Sequence, residues 1–430
     1  MRILVVGSGG REAALVQQLR KSMFVDDILC APGNAGIALH AKCLPVGIED
    51  TWGLLKLAEE KGVDLTVVGP ELPLVRGIVD LFEQRGKRII GPSAHAAHIE
   101  GSKAYAEKIL QKYHIPSAEF AIFVDPRKAK QFISKKELPL VIKPDGLSGG
   151  KGVAIAYTRK EAFSAVDTLS GIGERMVIEE YLTGIECSYM VSTDGENIVA
   201  LPPALDYKET RKGSRIMTGG MGCVAPHPFF AKEIDMQKER ERLERITGVE
   251  TTIIFPLLQA LLHEGRPYRG ILYAGLMLTA EGPKVLEINC RLGDPETQTT
   301  LPLLRYPDII PLLLSTITKT NNLKFFQAEW KNGAAVCVVL AAEGYPKKFR
   351  KGDVITGIEE AMAKEDTLVF HAGTDVLPDG TFITARPRVL NVVGFGSSVI
   401  TARERAYEAV RCIRFNGMWY REDIGEFSFA

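Results

Sequence analysis

The chain has no excess charge and no long apolar run. Its 430 residues carry 53 Lys+Arg against 53 Asp+Glu, so no whole-protein field draws it to nucleic acid or an anionic membrane, and neither partner is expected. No apolar stretch approaches the roughly 18 residues that span a bilayer. Met1 to Val6 is apolar apart from Arg2 but meets Gly7 too early to make a signal segment. The 7 cysteines are scattered, with no CxxC pair and no nearby run of histidines. That sets aside disulfide scaffolds and zinc ribbons and points to a reducing, cytoplasmic setting. No Ser/His/Asp or Cys/His constellation stands out, and there is no repeat or low-complexity segment.

What is present is a run of buried-strand patterns that end in glycine loops. Ile3-Leu4-Val5-Val6 precedes Gly7-Ser8-Gly9-Gly10, Asp27 to Cys30 precedes Ala31-Pro32-Gly33-Asn34, and Asp64 to Val68 precedes Gly69-Pro70-Glu71. Continuous apolar runs separated by helix-like segments predict an open α/β parallel sheet with its crevice at the carboxyl ends of the strands. From Leu138 the texture changes. Leu140 to Lys143 and Gly152 to Ala156 read as a hairpin with a glycine-rich tip, followed by strands at Met176–Leu182, Ile271–Ala274 and Lys284–Asn289. After residue 330 come a strand at Ala334–Leu340 and a helix at Ser398–Cys412, a smaller α+β domain. The expected division is residues 1–101, 102–320 with a lid at about 117–185, and 330–430.

Three motifs carry chemistry. The first, Gly7 to Glu12, fails the dinucleotide fingerprint because Glu12 stands where the third glycine belongs. A turn that feeds a helix N-terminus is suited to a phosphate, or it is simply a tight turn. The second, Gly146 to Gly152, fails as a Walker A loop because Asp145 replaces the first glycine and Gly152 the Ser or Thr. It is either an ordinary glycine hairpin or a phosphate lid flanked by Lys143 and Lys151. The third is Glu287-Ile288-Asn289. Residues two apart on a strand share a face, so a carboxylate and an amide oxygen converge, as a magnesium pair or as two polar surface residues. The Gly/Pro loop from Cys290 to Gln298 then packs charges of both signs, which is costly to bury without a ligand.

Lys143, the glycine lid to Lys151, the strand Ile178-Glu179-Glu180-Tyr181-Leu182 and Leu286-Glu287-Ile288-Asn289 resemble the ATP-grasp fold. More narrowly, Gly7–Leu15, Pro32–Gly36, Val68–Glu71, Glu100–Lys103, Thr218–Gly222, Tyr273–Met277, Arg291–Gln298 and Phe370–Thr374 are similar, in order along the whole chain, to the phosphoribosylamine-glycine ligase family of purine synthesis.

The resemblance implies an N-terminal parallel-sheet (preATP-grasp) domain, a two-part ATP-grasp domain and a small C-terminal α+β domain. It implies an ATP-dependent ligase, working as a monomer or homodimer, that joins glycine to 5-phosphoribosylamine through a glycyl phosphate with magnesium or manganese. Lys103, Lys143, Ser148, Gly149, Gly150 and Lys151 would touch ATP phosphates. Glu179, Glu180, Tyr181 and Leu182 would line the adenine, and Glu186 would accept from the ribose. Glu287 and Asn289 match the metal pair, and Arg291 and Asp294 the acyl-phosphate junction. Gly10, Arg11, Glu12, Gly33, Asn34, Pro70 and Glu71 would hold phosphoribosylamine. Lys208, Thr218, Gly219, Gly220, Gly293 and Glu296 complete the substrate side.

The chain departs from the family pattern at Ala13, where a histidine is usual, and through Leu205 to Met217, where Lys208, Arg211 and Arg215 are expected to rebuild the pocket. Two rivals share most of these residues. One is an ATP-grasp ligase for another carboxylate and amine, and the other is a nucleotide-binding protein without turnover.

Overall fold

A computed structural model describes residues 1–147, 152–230, 248–306, 308–318 and 322–427. The expected parallel sheet forms from Lys42–Cys43, Asp27–Pro32, Arg2–Gly7, Leu65–Val68 and Ile89–Ile90, in that spatial order. Its central strand, Arg2–Gly7, reads buried at every position after Arg2 because helices cover both faces. Leu4 and Val6 pack into one core cluster and Ile3 and Val5 into another.

A four-stranded antiparallel sheet, ordered Phe120–Phe123, Met176–Glu180, Leu140–Pro144, Ala154–Ala156, has a separate core. The helices Pro126–Ile133 and Arg159–Leu169 supply Ala129, Ile133, Ala162 and Val166 to it. Thr158 and Glu161 form a capping box at the start of the second helix. The central sheet runs Ile198–Ala200, Ile185–Thr193, Gly270–Thr279, Gly282–Asn289. Alternation along its last strand sends Ile288 into the core, as the sequence predicts, and leaves Glu287 and Asn289 on the cavity side.

The second five-stranded sheet differs from the expected division. Leu205–Asp206 and Gly222–Ala225 pair beside Ala334–Ala341, Arg388–Gly396 and Thr367–His371. The C-terminal sheet therefore takes two strands from the middle of the chain, upstream of residue 330. Gly222 permits this, because a Cβ there would stand 2.7 Å from the Cys337 carbonyl oxygen. The helix Val399–Val410 covers this sheet through Ala402, Ala406 and Val410.

Candidate active site

The sheets enclose a cavity of about 400 Å³ that opens beside a second of about 260 Å³. Arg11, Asp294 and Arg388 line both.

At the inner end of the larger cavity, Lys143 Nζ lies 2.6 Å from Glu179 and donates to the Leu286 carbonyl at 3.0 Å. Burial, the largest influence, would strip the lysine of its proton, but Glu179, Glu107 and Glu287 together outweigh it and hold the ammonium above its usual range. Tyr181 and Leu182 follow the strand Met176–Glu180, outside its ladder, and line the cavity beside Glu180. Lys103 starts the helix Lys103–Lys112, and its ammonium donates to the Gly146 carbonyl at 2.7 Å. Asp145, which excluded a Walker loop, ties this region together. Its carboxylate accepts from Ser102 Oγ at 2.9 Å, from the Ala104 amide at 3.1 Å and from the Gly146 amide at 3.1 Å. Ser148, Gly149, Gly150 and Lys151 lie outside the described residues.

Across the cavity, Lys208 Nζ stands 3.4 Å from Glu287 and 3.4 Å from Glu186. Lys208 is the main reason the Glu287 carboxyl is held down to about 2, with Lys143 and Arg291 adding to it against burial. Gly275 faces Glu287 in the paired strand, and a Cβ there would come 2.8 Å from Glu287 Cγ. Arg291 forks between Glu71 at 3.2 Å and Glu100 at 3.0 Å and donates to Asn289 Oδ1 at 2.9 Å. Asn289 Nδ2 is buried without a partner. Glu296 accepts from Tyr273 at 2.6 Å and from Ser188 at 3.0 Å. Asp206 is nearby with an unpartnered Oδ1, and burial first, then Glu296, push its carboxyl well up.

The smaller cavity is basic. Arg388 lies 3.4 Å from Asp294 and donates to its carbonyl at 2.8 Å, and Arg386 donates to Ser8 Oγ at 2.6 Å. Burial would raise the Asp294 pKa, but Arg388 and Arg11 outweigh it and keep the carboxylate ionised.

Of the two readings of the Gly7–Glu12 turn, a phosphate seat or a plain tight turn, the amide bonding favours the second. Glu12 accepts from the Ser8 amide at 3.2 Å and the Gly9 amide at 2.5 Å, and pairs with Arg11 at 2.7 Å. Asn34 is similarly committed, donating to the Ser8 carbonyl at 3.0 Å and the His371 carbonyl at 2.9 Å. Gly10 packs against Asn391 and Gln298 and does not line the cavity, whereas Pro70 does. Gly33 donates its amide to the Gly7 carbonyl at 3.0 Å.

Thr218 Oγ1 donates to the Lys208 carbonyl at 2.8 Å and receives the Gly220 amide at 3.1 Å. Gly219 donates to Tyr345 Oη at 2.8 Å, and Gly293 backs on to Glu296. Of the three cations expected to rebuild the pocket, only Lys208 lines it. Arg215 instead pairs with Glu161 and lies over the Tyr157 ring, and Arg211 is exposed.

Sequence reading passed over Glu107, Asp206, Arg386 and Arg388 as site residues. The alternation Arg386-Pro387-Arg388 at the entrance to an apolar strand is the one local signal that marks two of them.

A parallel-sheet unit, an antiparallel lid and a strand carrying paired oxygen donors over a lysine-lined cavity define an ATP-grasp protein. Models of the phosphoribosylglycinamide synthetase family match residues 1–100 (N domain), 101–297 (ATP-grasp domain) and 335–427 (C domain). The chain is 44% identical to the phosphoribosylamine-glycine ligase of Caldanaerobacter subterraneus over 432 residues, covering 99% of each. Against that of Vibrio vulnificus it is 42% identical, covering 99% of this chain and 98% of the other. A crystal structure of the Thermotoga maritima phosphoribosylamine-glycine ligase superposes with a TM-score of 0.80 at 33% identity, over 99% of this chain and 100% of that one. The biotin carboxylase of Campylobacter jejuni shares the fold, with a TM-score of 0.68 at 14% identity over 97% and 92% of the two chains. The chain belongs to the phosphoribosylglycinamide synthetase family.

Proposed function

We propose that the chain joins glycine to 5-phosphoribosylamine with cleavage of ATP to ADP and phosphate. The observation that carries this reading is the wall shared by the two cavities at Arg11, Asp294 and Arg388. A nucleotide fills the larger cavity, the phosphate of the ribosylamine meets Arg386 and Arg388 in the smaller, and the reacting ends converge where they join.

The order of bond changes follows from the reactants. The glycine carboxylate attacks the γ-phosphorus and ADP leaves. The ribosylamine nitrogen then attacks the acyl carbon and phosphate leaves, and Asp294 is the base for the amine proton. Lys143, Lys103 and Arg291 stabilise the charge that moves on to ADP and the transferring phosphoryl group. Asp206 and Glu296 seat the glycine ammonium.

A divalent ion fits Glu287 and Asn289. Lys208 keeps the carboxylate ionised, Gly275 leaves it room, and an amide oxygen that accepts one bond from Arg291 has a second lone pair. Among the described residues no cluster of three or more His, Cys, Asp or Glu could hold a metal alone, so nucleotide oxygens would complete the shell. Bound there, magnesium would neutralise phosphate charge. This reading sets the reaction in the cytoplasm.

The test is ADP release with ATP and magnesium, offering glycine and freshly generated phosphoribosylamine separately and together. Release that requires both supports the reading. Release indifferent to glycine would overturn it.

A further inference from the structure

Gln298 lines neither cavity, yet it touches Asp294, the base of the reaction above. It sits on the short helix Glu296–Thr300, is wholly buried, and its Nε2 donates to Asp294 Oδ1 at 2.7 Å. The other end of the same amide is unspent. Oε1 has no hydrogen-bond partner among the described residues, and neither polar atom of Asn391, also wholly buried, has one. The two amides meet at Gly10. A Cβ there would overlap Asn391 Nδ2 and stand 2.6 Å from Gln298 Nε2, so a residue without a side chain leaves them room.

Buried polar atoms without partners weaken a fold. Stability alone would favour an apolar side chain at 298, and the one bond that Gln298 makes with its side chain goes to Asp294. That bond divides the work of the carboxylate. Oδ1 is taken by an amide N–H, while Oδ2 lies beside Gly9 and 3.4 Å from Arg388, both of which line the smaller cavity.

We propose that Gln298 is a positioning residue: it fixes Asp294 Oδ1 so that Oδ2 alone meets the ribosylamine nitrogen. As the N–C bond forms and the C–O bond to phosphate breaks, the amine proton passes to Oδ2 and from there to the departing phosphate. Oδ1 keeps its bond to Gln298 throughout. The inference rests on the reading of Asp294 as that base and deepens it.

The same bond helps to keep the carboxylate ionised. Burial, the largest influence, raises the Asp294 pKa, and Arg388, Arg11, Gln298 and Arg291 lower it. The charged and titratable groups around it are Arg388 on the strand Arg388–Gly396, Arg11 and Glu12 on the first helix, Cys337 on the strand Ala334–Ala341 and Arg291 on its own loop. All of them stay when Gln298 is replaced, so the carboxyl rises by the lost bond alone.

The test is steady-state turnover of the full chain from pH 5 to pH 9 with ATP, magnesium, glycine and freshly generated phosphoribosylamine. Gln298→Met keeps the shape and loses the donor. Its kcat at pH 6 should fall about tenfold, the acid limb of kcat should move up by about one pH unit, and the KM for ATP should stay within about twofold of wild type. Gln298→Glu puts an oxygen against the carboxylate and should lower kcat about a hundredfold. In an Asp294→Asn background Gln298→Met should lower kcat no further, because it acts through that carboxylate. An unshifted acid limb in Gln298→Met would overturn the proposal, as would an additive loss in the double variant. If Gln298→Met has no thermal transition, Gln298→Glu carries the comparison, and wild-type kcat there would overturn the proposal equally. Wild-type turnover in Asp294→Asn would overturn the reading of Asp294 itself, a result distinct from an inactive Asp294→Asn beside an unaltered Gln298→Met.

Discussion

Lys208 holds Glu287 in check, its ammonium 3.4 Å from the carboxylate that a divalent ion would share with a nucleotide. The lysine thus compensates the carboxylate that would hold a divalent ion, and Glu186, also 3.4 Å away, would keep it paired if one bound. Glu287→Gln removes the charge that both cations want. Turnover should fall at least about a hundredfold at saturating ATP and magnesium, with the thermal melt little changed because 43% of the side chain is open to the cavity. Unchanged turnover would remove Glu287 from the metal site.

Arg291→Lys tests whether geometry or charge matters at the junction. The guanidinium reaches Glu71, Glu100 and Asn289 together, and a lysine can satisfy only one of them. Glu100 is buried and would be left uncompensated, so urea unfolding should show a loss of about 3 kcal/mol along with lost activity. Wild-type stability in the variant would show that the fork is dispensable.

Arg386 lines only the smaller cavity. Arg386→Ala should raise the KM for phosphoribosylamine about tenfold to a hundredfold and leave the KM for ATP unchanged. Equal effects on both would argue against separate seats for the two substrates.

His371 predicts an acid-sensitive seam. Its ring is 5% exposed, bonds Thr374 Oγ1 at 2.8 Å and packs so closely on Gly36 that a Cβ there would overlap it. Burial first, then the charge of His40, hold the imidazole down to about 4. The unfolded chain takes up this proton near pH 6.5 and the folded one near 4, so the contribution is whole above 6.5 and is lost as pH falls toward 4. The loss at the acid end is about 3 kcal/mol. Denaturant midpoints for His371→Gln should fall less steeply over that window, and an identical slope would refute the assignment.

Much of this was legible in the sequence wherever the signal is local. Apolar runs ending in glycine loops marked the parallel sheet, and period-two alternation placed Glu287 and Asn289 opposite Ile288. What escaped depends on distant pairing. Arg388 reaches Asp294 from 94 positions away, and nothing near it says so. Glu107 reads as one more charge on a Lys- and Glu-rich helix until the helix is docked. Glu12 bears on its own turn. The turn does feed a helix, but that side chain consumes the amide donors a phosphate seat there would need.

The hydrogen bond from Arg386 to Ser8 joins residues 378 positions apart. On a ribosome, Ser8 emerges 378 positions ahead of Arg386, so the basic pocket is finished only after the strands of three other sheets have been made. A chain truncated before Arg386 still contains every strand of the parallel, lid and central sheets. It lacks both arginines proposed to meet the sugar phosphate, so capture of phosphoribosylamine would report that the strand Arg388–Gly396 has joined the rest of the fold.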